Sequence, residues 1–186
     1  LKNFMKKLIL VIPARYQSSR FPGKPLFKFK NKAMIQLVWE NCIKAISEQN
    51  VYVATDDIRI KKYCLKNKMQ VIMTPKNCKT GTDRIYEVSK KIKADIYINV
   101  QGDEPMLKSN KIKKFIDYAK INKEYVVNAM TNILNKEEYL SKNIPKLICD
   151  KNNFLIYMSR LPIPGSKNNV FVKTKKQVCM YSFPRN

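Results

Sequence analysis

Arg15, Ser18, Ser19, Arg20 and Lys24 all fall in "VIPARYQSSRFPGKPL" (11–26), a segment that begins inside the apolar run Leu8–Ile12. Two guanidiniums, an ammonium, two hydroxyls and the small Gly23 supply forked hydrogen bonds, a point charge and room for close backbone approach. That is the chemistry that grips phosphate. Such a stretch cannot be buried without a partner for its charges. The spacing is not a Walker A loop, because Gly23-Lys24 has no upstream glycine and no following Ser or Thr, and it is not GxGxxG either. Taken alone, the cluster also reads as basic side chains on a solvated loop. A second segment, "NVQGDEP" (99–105), delivers Gln101, Gly102, Asp103 and Glu104 at the end of another apolar run. Carboxylates near a phosphate cradle are the usual means of holding Mg2+ against a triphosphate. An acidic turn closed by Pro105 accounts for the same letters. Thr80–Arg84, "TGTDR", is the third segment of this kind.

The elements that position these segments alternate in type. Residues 7–12 form a continuous apolar run, as expected of a strand buried on both faces. Met34, Leu37, Val38, Cys42, Ala45 and Ile46 make a helical stripe across 33–48. "VYVAT" (51–55) reads as a strand, and Asp56-Asp57 cap a helix through Lys66. "QVIMT" (70–74) is a third strand. Thr82 is placed to cap a helix from Asp83 to Ile92, "DIYINV" (95–100) is a fourth strand, and Ser109 is placed to cap the next helix. This rhythm predicts βαβ units and a parallel sheet, with the three polar segments at carboxyl ends of strands, where open α/β sheets bind ligands. After residue 125 short apolar segments follow one another, with a hairpin turn at Asp150–Asn153. The expected architecture is one α/β domain whose mixed sheet is partly antiparallel toward the C-terminus.

Composition narrows the function classes. Lys+Arg number 37 against 14 Asp+Glu, for a formal charge of +23. A nucleic-acid or membrane-surface binder is one reading of that imbalance. The lysines are scattered in ones and twos, and with abundant Asn and Ile they fit a compositional skew equally well. No histidine is present, which removes histidine bases, triads and metal ligands. Five separated cysteines without a CxxC read as reduced thiols of a cytoplasmic protein. The apolar run behind Lys6-Lys7 is shorter than the ~7–15 residues of a signal h-region. No segment approaches the ~20 apolar residues of a membrane span. Trp39, on the 33–48 helix, is expected in the core or at an interface.

In their order along the chain, "IPARYQSSRFPGKPL", "VATDD", "TGTDRIYEV" and "NVQGDEP" resemble the 3-deoxy-manno-octulosonate (Kdo) cytidylyltransferases, from Lys6 to Arg185. Sialic-acid cytidylyltransferases differ in the first motif, reading "IPARGGSKRIPRKN", and sugar-phosphate nucleotidyltransferases read "LAAGxGTR". The resemblance implies a three-layer α/β/α nucleotidyltransferase of Rossmann-like, nucleotide-diphospho-sugar transferase type. It implies transfer of CMP from CTP to the anomeric 2-hydroxyl of Kdo or 8-amino-Kdo, with release of pyrophosphate, for lipopolysaccharide or capsule synthesis. Arg15, Lys24 and Asp103 would be catalytic. Arg15, Ser18, Ser19, Arg20 and Lys24 would hold the triphosphate, Thr80, Gly81 and Thr82 would border the cytidine, and Asp103 would bind Mg2+. Arg84, Gln101, Gln177 and Tyr181 would face the acidic eight-carbon sugar, Arg84 through the sugar's carboxylate. Such chemistry is mostly positioning and charge stabilisation, so it does not require histidine. A homodimer is implied, with Arg160 at the partner or the substrate, and neither nucleic acid nor membrane insertion is expected.

The chain departs from the family pattern in two places. "KQVCMYSF" puts Gln177 where many members carry a histidine, keeping a hydrogen-bond donor but losing a charge. The family also continues for roughly sixty residues beyond Asn186, with a second carboxylate metal ligand, so the resemblance implies lowered activity and an uncovered apolar face. The expected domain is 6–186, with residues 1–5 a start-site extension or tag. Two other readings stand beside the enzyme. One is an inactive or fragmentary relative. The other is a basic nucleic-acid-binding module, which would interleave aromatics with its lysines.

Overall fold

Leu8–Ile12 is apolar without interruption because it is the centre of a sheet covered on both faces. It forms β1 (Leu8–Ala14), in which only Pro13 is more than slightly accessible. The computed structural model describes residues 8–17, 21–168 and 170–185. After β1 come β2 (Lys28–Phe29), β3 (Lys32–Ala33), α1 (Met34–Ile43), β4 (Val51–Thr55), α2 (Ile58–Lys66), β5 (Val71–Met73) and α3 (Gly81–Lys91). They are followed by β6 (Ile96–Val100), α4 (Ser109–Ile121), β7 (Val127–Asn132), α5 (Lys136–Leu140), β8 (Lys146–Cys149), β9 (Leu155–Ser159) and β10 (Lys175–Pro184). The chain divides into two compact units: one runs up to Val127 and resumes at Cys179, and the other is Asn128–Val178. β10 contributes residues to both.

In the first unit β5, β4, β1 and β6 lie side by side and parallel, with Ile12 opposite Val53 and Leu10 opposite Ile98. The end of β10 adds an antiparallel strand, Met180 opposite Val100 and Tyr181 opposite Asn99, so the sheet is mixed as expected. Ile9 and Val11 pack with Ile85 and Val88 of α3 in one core cluster. Ile12 points the other way, and both it and Ile35 of α1 lie within van der Waals reach of Gly102. Helices on both faces make this unit the three-layer α/β/α arrangement anticipated from the sequence.

Helix boundaries correct the sequence reading in three places. α1 starts after Ala33 but stops at Ile43, short of 48, where Ala45 and Ile46 turn back onto the Cys42 carbonyl. Trp39 is buried within it, as expected of a core residue. α3 is capped by Thr80, not Thr82: the Thr80 hydroxyl accepts from the Asp83 amide, and the Asp83 carboxylate accepts from the Thr80 amide. A threonine with a carboxylate three residues on satisfies two orphan amides at once, so it prevails over the later threonine. α4 begins with Ser109 already helical, and the Lys108 position before it has no side-chain cap. Asp57 caps α2 as predicted, accepting from the Arg59 amide at 2.8 Å.

The second unit is antiparallel, with β8 between β10 and β9. The expected hairpin turn is present: Asp150 closes onto Phe154, and Asn153 takes a left-handed conformation at φ 65°. α5 was not foreseen; Asn135 caps it by accepting from the Glu138 amide at 2.8 Å. Lys146 is fully buried and donates to the carbonyls of Ser141 and Arg160, the latter at 2.9 Å. Burial and the nearby Arg160 charge lower its ammonium below the ordinary lysine value.

Candidate active site

β1 ends at Ala14 and β6 at Val100, and the segments after them flank a cleft of about 520 Å³ in the first unit. Arg15, Lys24, Thr80, Gly81, Arg84, Gln101 and Asp103 all line it. Residues drawn from three separated motifs therefore meet at one sheet edge, as the topology of parallel strands requires. Ser18, Ser19 and Arg20 lie outside the described residues. Thr82 is exposed and does not line the cleft.

The first loop is closed at its feet. The Gly23 amide donates to the Tyr16 carbonyl at 2.8 Å, and Gly23 sits at φ +73° with a hypothetical Cβ only 3.0 Å from the Tyr16 ring. Only glycine combines that backbone angle with that approach. Tyr16 is itself held. Arg59 Cζ lies 3.3 Å from its ring centroid, and Asp57 grips the same guanidinium at 2.9 and 2.6 Å. The Arg59 side chain, through these hydrogen bonds, holds the Asp57 carboxyl below the usual carboxylate range.

Lys24 Nζ donates to Asp103 Oδ2 at 2.7 Å, joining the proposed phosphate ligand to the proposed metal ligand across 79 residues of sequence. Both side chains are more than a third exposed, so the pair stays open to exchange with solutes. Beside it, burial and then the Asp103 charge raise the Glu104 carboxyl, while Lys24 acts in the opposite direction. Gly102 brings this segment hard against β1: an added Cβ would meet the Pro13 carbonyl oxygen at 3.0 Å and Ile35 Cδ1 at 3.2 Å.

Arg84 lines the cleft yet is only 3% exposed. Its Nη2 donates to Asp56 Oδ2 at 2.8 Å and its Nη1 to Thr74 Oγ1 at 2.6 Å. Sequence reading took Asp56 and Asp57 together as caps. The structure splits them: Asp57 caps α2, while Asp56 accepts from Arg84, whose two bonds tie α3 to the end of β4 through Asp56 and to the end of β5 through Thr74. Tyr181 lies on β10 opposite Asn99 and stacks with Phe183. Burial raises its hydroxyl above the ordinary tyrosine value, with Cys179 as a second cause. Gln177 belongs to the second unit, where its amide donates to the Pro145 carbonyl and its side chain to Asn128.

Sequence reasoning missed the apolar wall of Phe21 and Pro25, and Cys78-Lys79 ahead of α3. Lys79 and Cys78 immediately precede the Thr80 motif, and this adjacency was the available signal. A sequence profile described as cytidylyltransferase matches residues 9–183. The 3-deoxy-manno-octulosonate cytidylyltransferase of Escherichia coli is 36% identical over 98% of this chain and 74% of its own length. The mitochondrial 3-deoxy-manno-octulosonate cytidylyltransferase of Arabidopsis thaliana is 37% identical over 90% of this chain and 58% of its own. The structure of a CMP:2-keto-3-deoxy-manno-octonic acid synthetase complexed with CTP superposes with a TM-score of 0.85 at 36% identity, covering 96% of this chain and 74% of that one.

Proposed function

The chain belongs to the cytidylyltransferase family, and from that premise we propose that it transfers CMP from CTP to the anomeric 2-hydroxyl of Kdo, releasing pyrophosphate. The observation that carries this reading is the convergence of Arg15, Lys24, Gln101 and Asp103 on one cleft. Arg15 and Lys24, with Ser18, Ser19 and Arg20 of the same sequence motif, take the triphosphate. Thr80 and Gly81 border the cytidine, and Thr82, outside the cleft lining, is left out of that role. The sugar oxygen bonds to the α-phosphorus as the bond from that phosphorus to the bridging oxygen breaks. Pyrophosphate leaves and the hydroxyl proton passes to solvent. Fixed cations around the phosphates stabilise the charge that develops, and this is worth most in a pre-formed site.

Asp103 is the residue we assign to Mg2+. An accessible carboxylate beside a phosphate site has the right donor chemistry, since Mg2+ takes one or two carboxylates and completes its shell with phosphate oxygens and water. When bound, the ion would neutralise phosphate charge. Gln101 and Tyr181 are the sugar-side candidates of the first unit, and Gln177 is a candidate on the family resemblance. Arg84 would meet the sugar's carboxylate by exchanging it for Asp56, one carboxylate for another. We place the protein in the cytoplasm, a reading supported by five free thiols. No helix among the described residues is long and apolar enough to cross a membrane. A homodimer through β9 is supported by Phe154 and the run Leu155–Met158, exposed throughout at a strand that, among the described residues, pairs with β8 alone.

The test is pyrophosphate release by the purified chain with CTP, Mg2+ and either Kdo or 8-amino-Kdo. Release should depend on the sugar and fall by about a hundredfold or more in Asp103→Ala. A folded chain that releases nothing with either sugar would overturn the assignment.

A further inference from the structure

Phe27-Lys28-Phe29-Lys30-Asn31-Lys32 alternates rings with ammoniums through the β2–β3 hairpin, which among the described residues pairs only with itself. Phe27 and Phe29 share a face, with ring centroids 5.2 Å apart, and Phe21 joins them at 5.3 Å. The three rings remain 42, 45 and 46% exposed. Lys32 is held by Glu40, but among the described residues no carboxylate pairs with Lys28 or Lys30. Phe27 and Phe29, each nearly half exposed beside lysines that no described carboxylate compensates, make a surface with two demands, one for apolar cover and one for negative charge.

We propose that this hairpin docks the protein on an anionic lipid surface. The phenyl rings enter the boundary between headgroups and acyl chains, while Lys28 and Lys30 meet the lipid phosphates. The rings argue against a nucleic-acid platform. Their planes are inclined at 63° and 80°, whereas successive bases need faces presented one after another. A chain charge of +23 draws the molecule to a negative surface from a distance. Phe21 also lines the cleft, so the ring row runs from the cleft to the hairpin, and docking brings the cleft close to the lipid. This is attachment to a surface, not a span.

Flotation with phosphatidylcholine vesicles, with and without phosphatidylglycerol, tests the proposal. The wild-type chain should float only with the anionic vesicles. Phe27→Ser combined with Phe29→Ser should weaken partitioning by about tenfold or more, and so should Lys28→Glu combined with Lys30→Glu. Phe29→Trp gives a second readout that does not depend on loss of binding: its emission should shift to the blue on anionic vesicles, against the buried Trp39 as a constant background. Absence of flotation, or flotation retained by both double variants, overturns the proposal. Retention of a single-stranded oligonucleotide in its place, lost in the same variants, would reassign the hairpin to nucleic acid.

Discussion

Asp57 shows how one side chain serves two ends, capping α2 and fixing Arg59 over Tyr16, and its ionisation is the handle for testing both. Its carboxyl is depressed in the folded state, mainly by the Arg59 side chain. A depressed acid stabilises the fold at pH values above its unfolded pKa, and the contribution is lost as pH falls through the lower folded value. Asparagine can still cap a helix but carries no charge. The stability gap between wild type and Asp57→Asn should therefore be present near pH 7 and shrink below about pH 4, measured by urea unfolding. At this scale the sequence was readable where a residue acts on its neighbours and unreadable where it acts across the fold. The Asp57 cap follows from adjacency. The Asp56–Arg84 bond spans 28 residues and the Lys24–Asp103 bond 79, and no local pattern announces either.

Among the elements, β1 was legible because burial on both faces forces an uninterrupted apolar run, and β4 and β6 because their apolar runs are broken only by the buried Thr55 and Asn99, whereas helix ends turned on which of two similar residues wins a cap. Thr80 and Thr82 differ only in having Asp83 at the right spacing. α5 went unread because five residues carry too little periodicity, although Asn135 followed by Glu138 is itself a capping signature. The join between β1 and the segment after β6 is where element geometry controls the site. Gly102→Ala would set a methyl group 3.0 Å from the Pro13 carbonyl oxygen, and backbone cannot rotate away as a side chain can. That substitution should cost about 1–3 kcal/mol in urea unfolding. It should also lower kcat further than an equally destabilising change in α4, because Asp103 follows directly. Adding Ile35→Val relieves only one of the two contacts and should restore stability in part.

For the molecule as a whole, the surface carries as much information as the core. Ile156 and Tyr157 stand exposed on β9, and under the proposed dimerisation through that strand, replacing both with lysine should leave only monomer in sedimentation velocity while the chain's thermal unfolding at low concentration is unchanged. The net charge of +23 was plain in the sequence, but what it does at the cleft was not, because that depends on which cations are already engaged. Lys24 is already engaged by Asp103, so a phosphate competes there with a carboxylate for its charge. Nucleotide entry there is a trade of one anion for another, not the filling of a bare positive hole. Fewer bound salt ions are then displaced than the charge of the loop suggests. The logarithm of CTP affinity should fall with the logarithm of salt concentration along a shallow line. It should steepen in Asp103→Asn, where Lys24 waits with only salt for company.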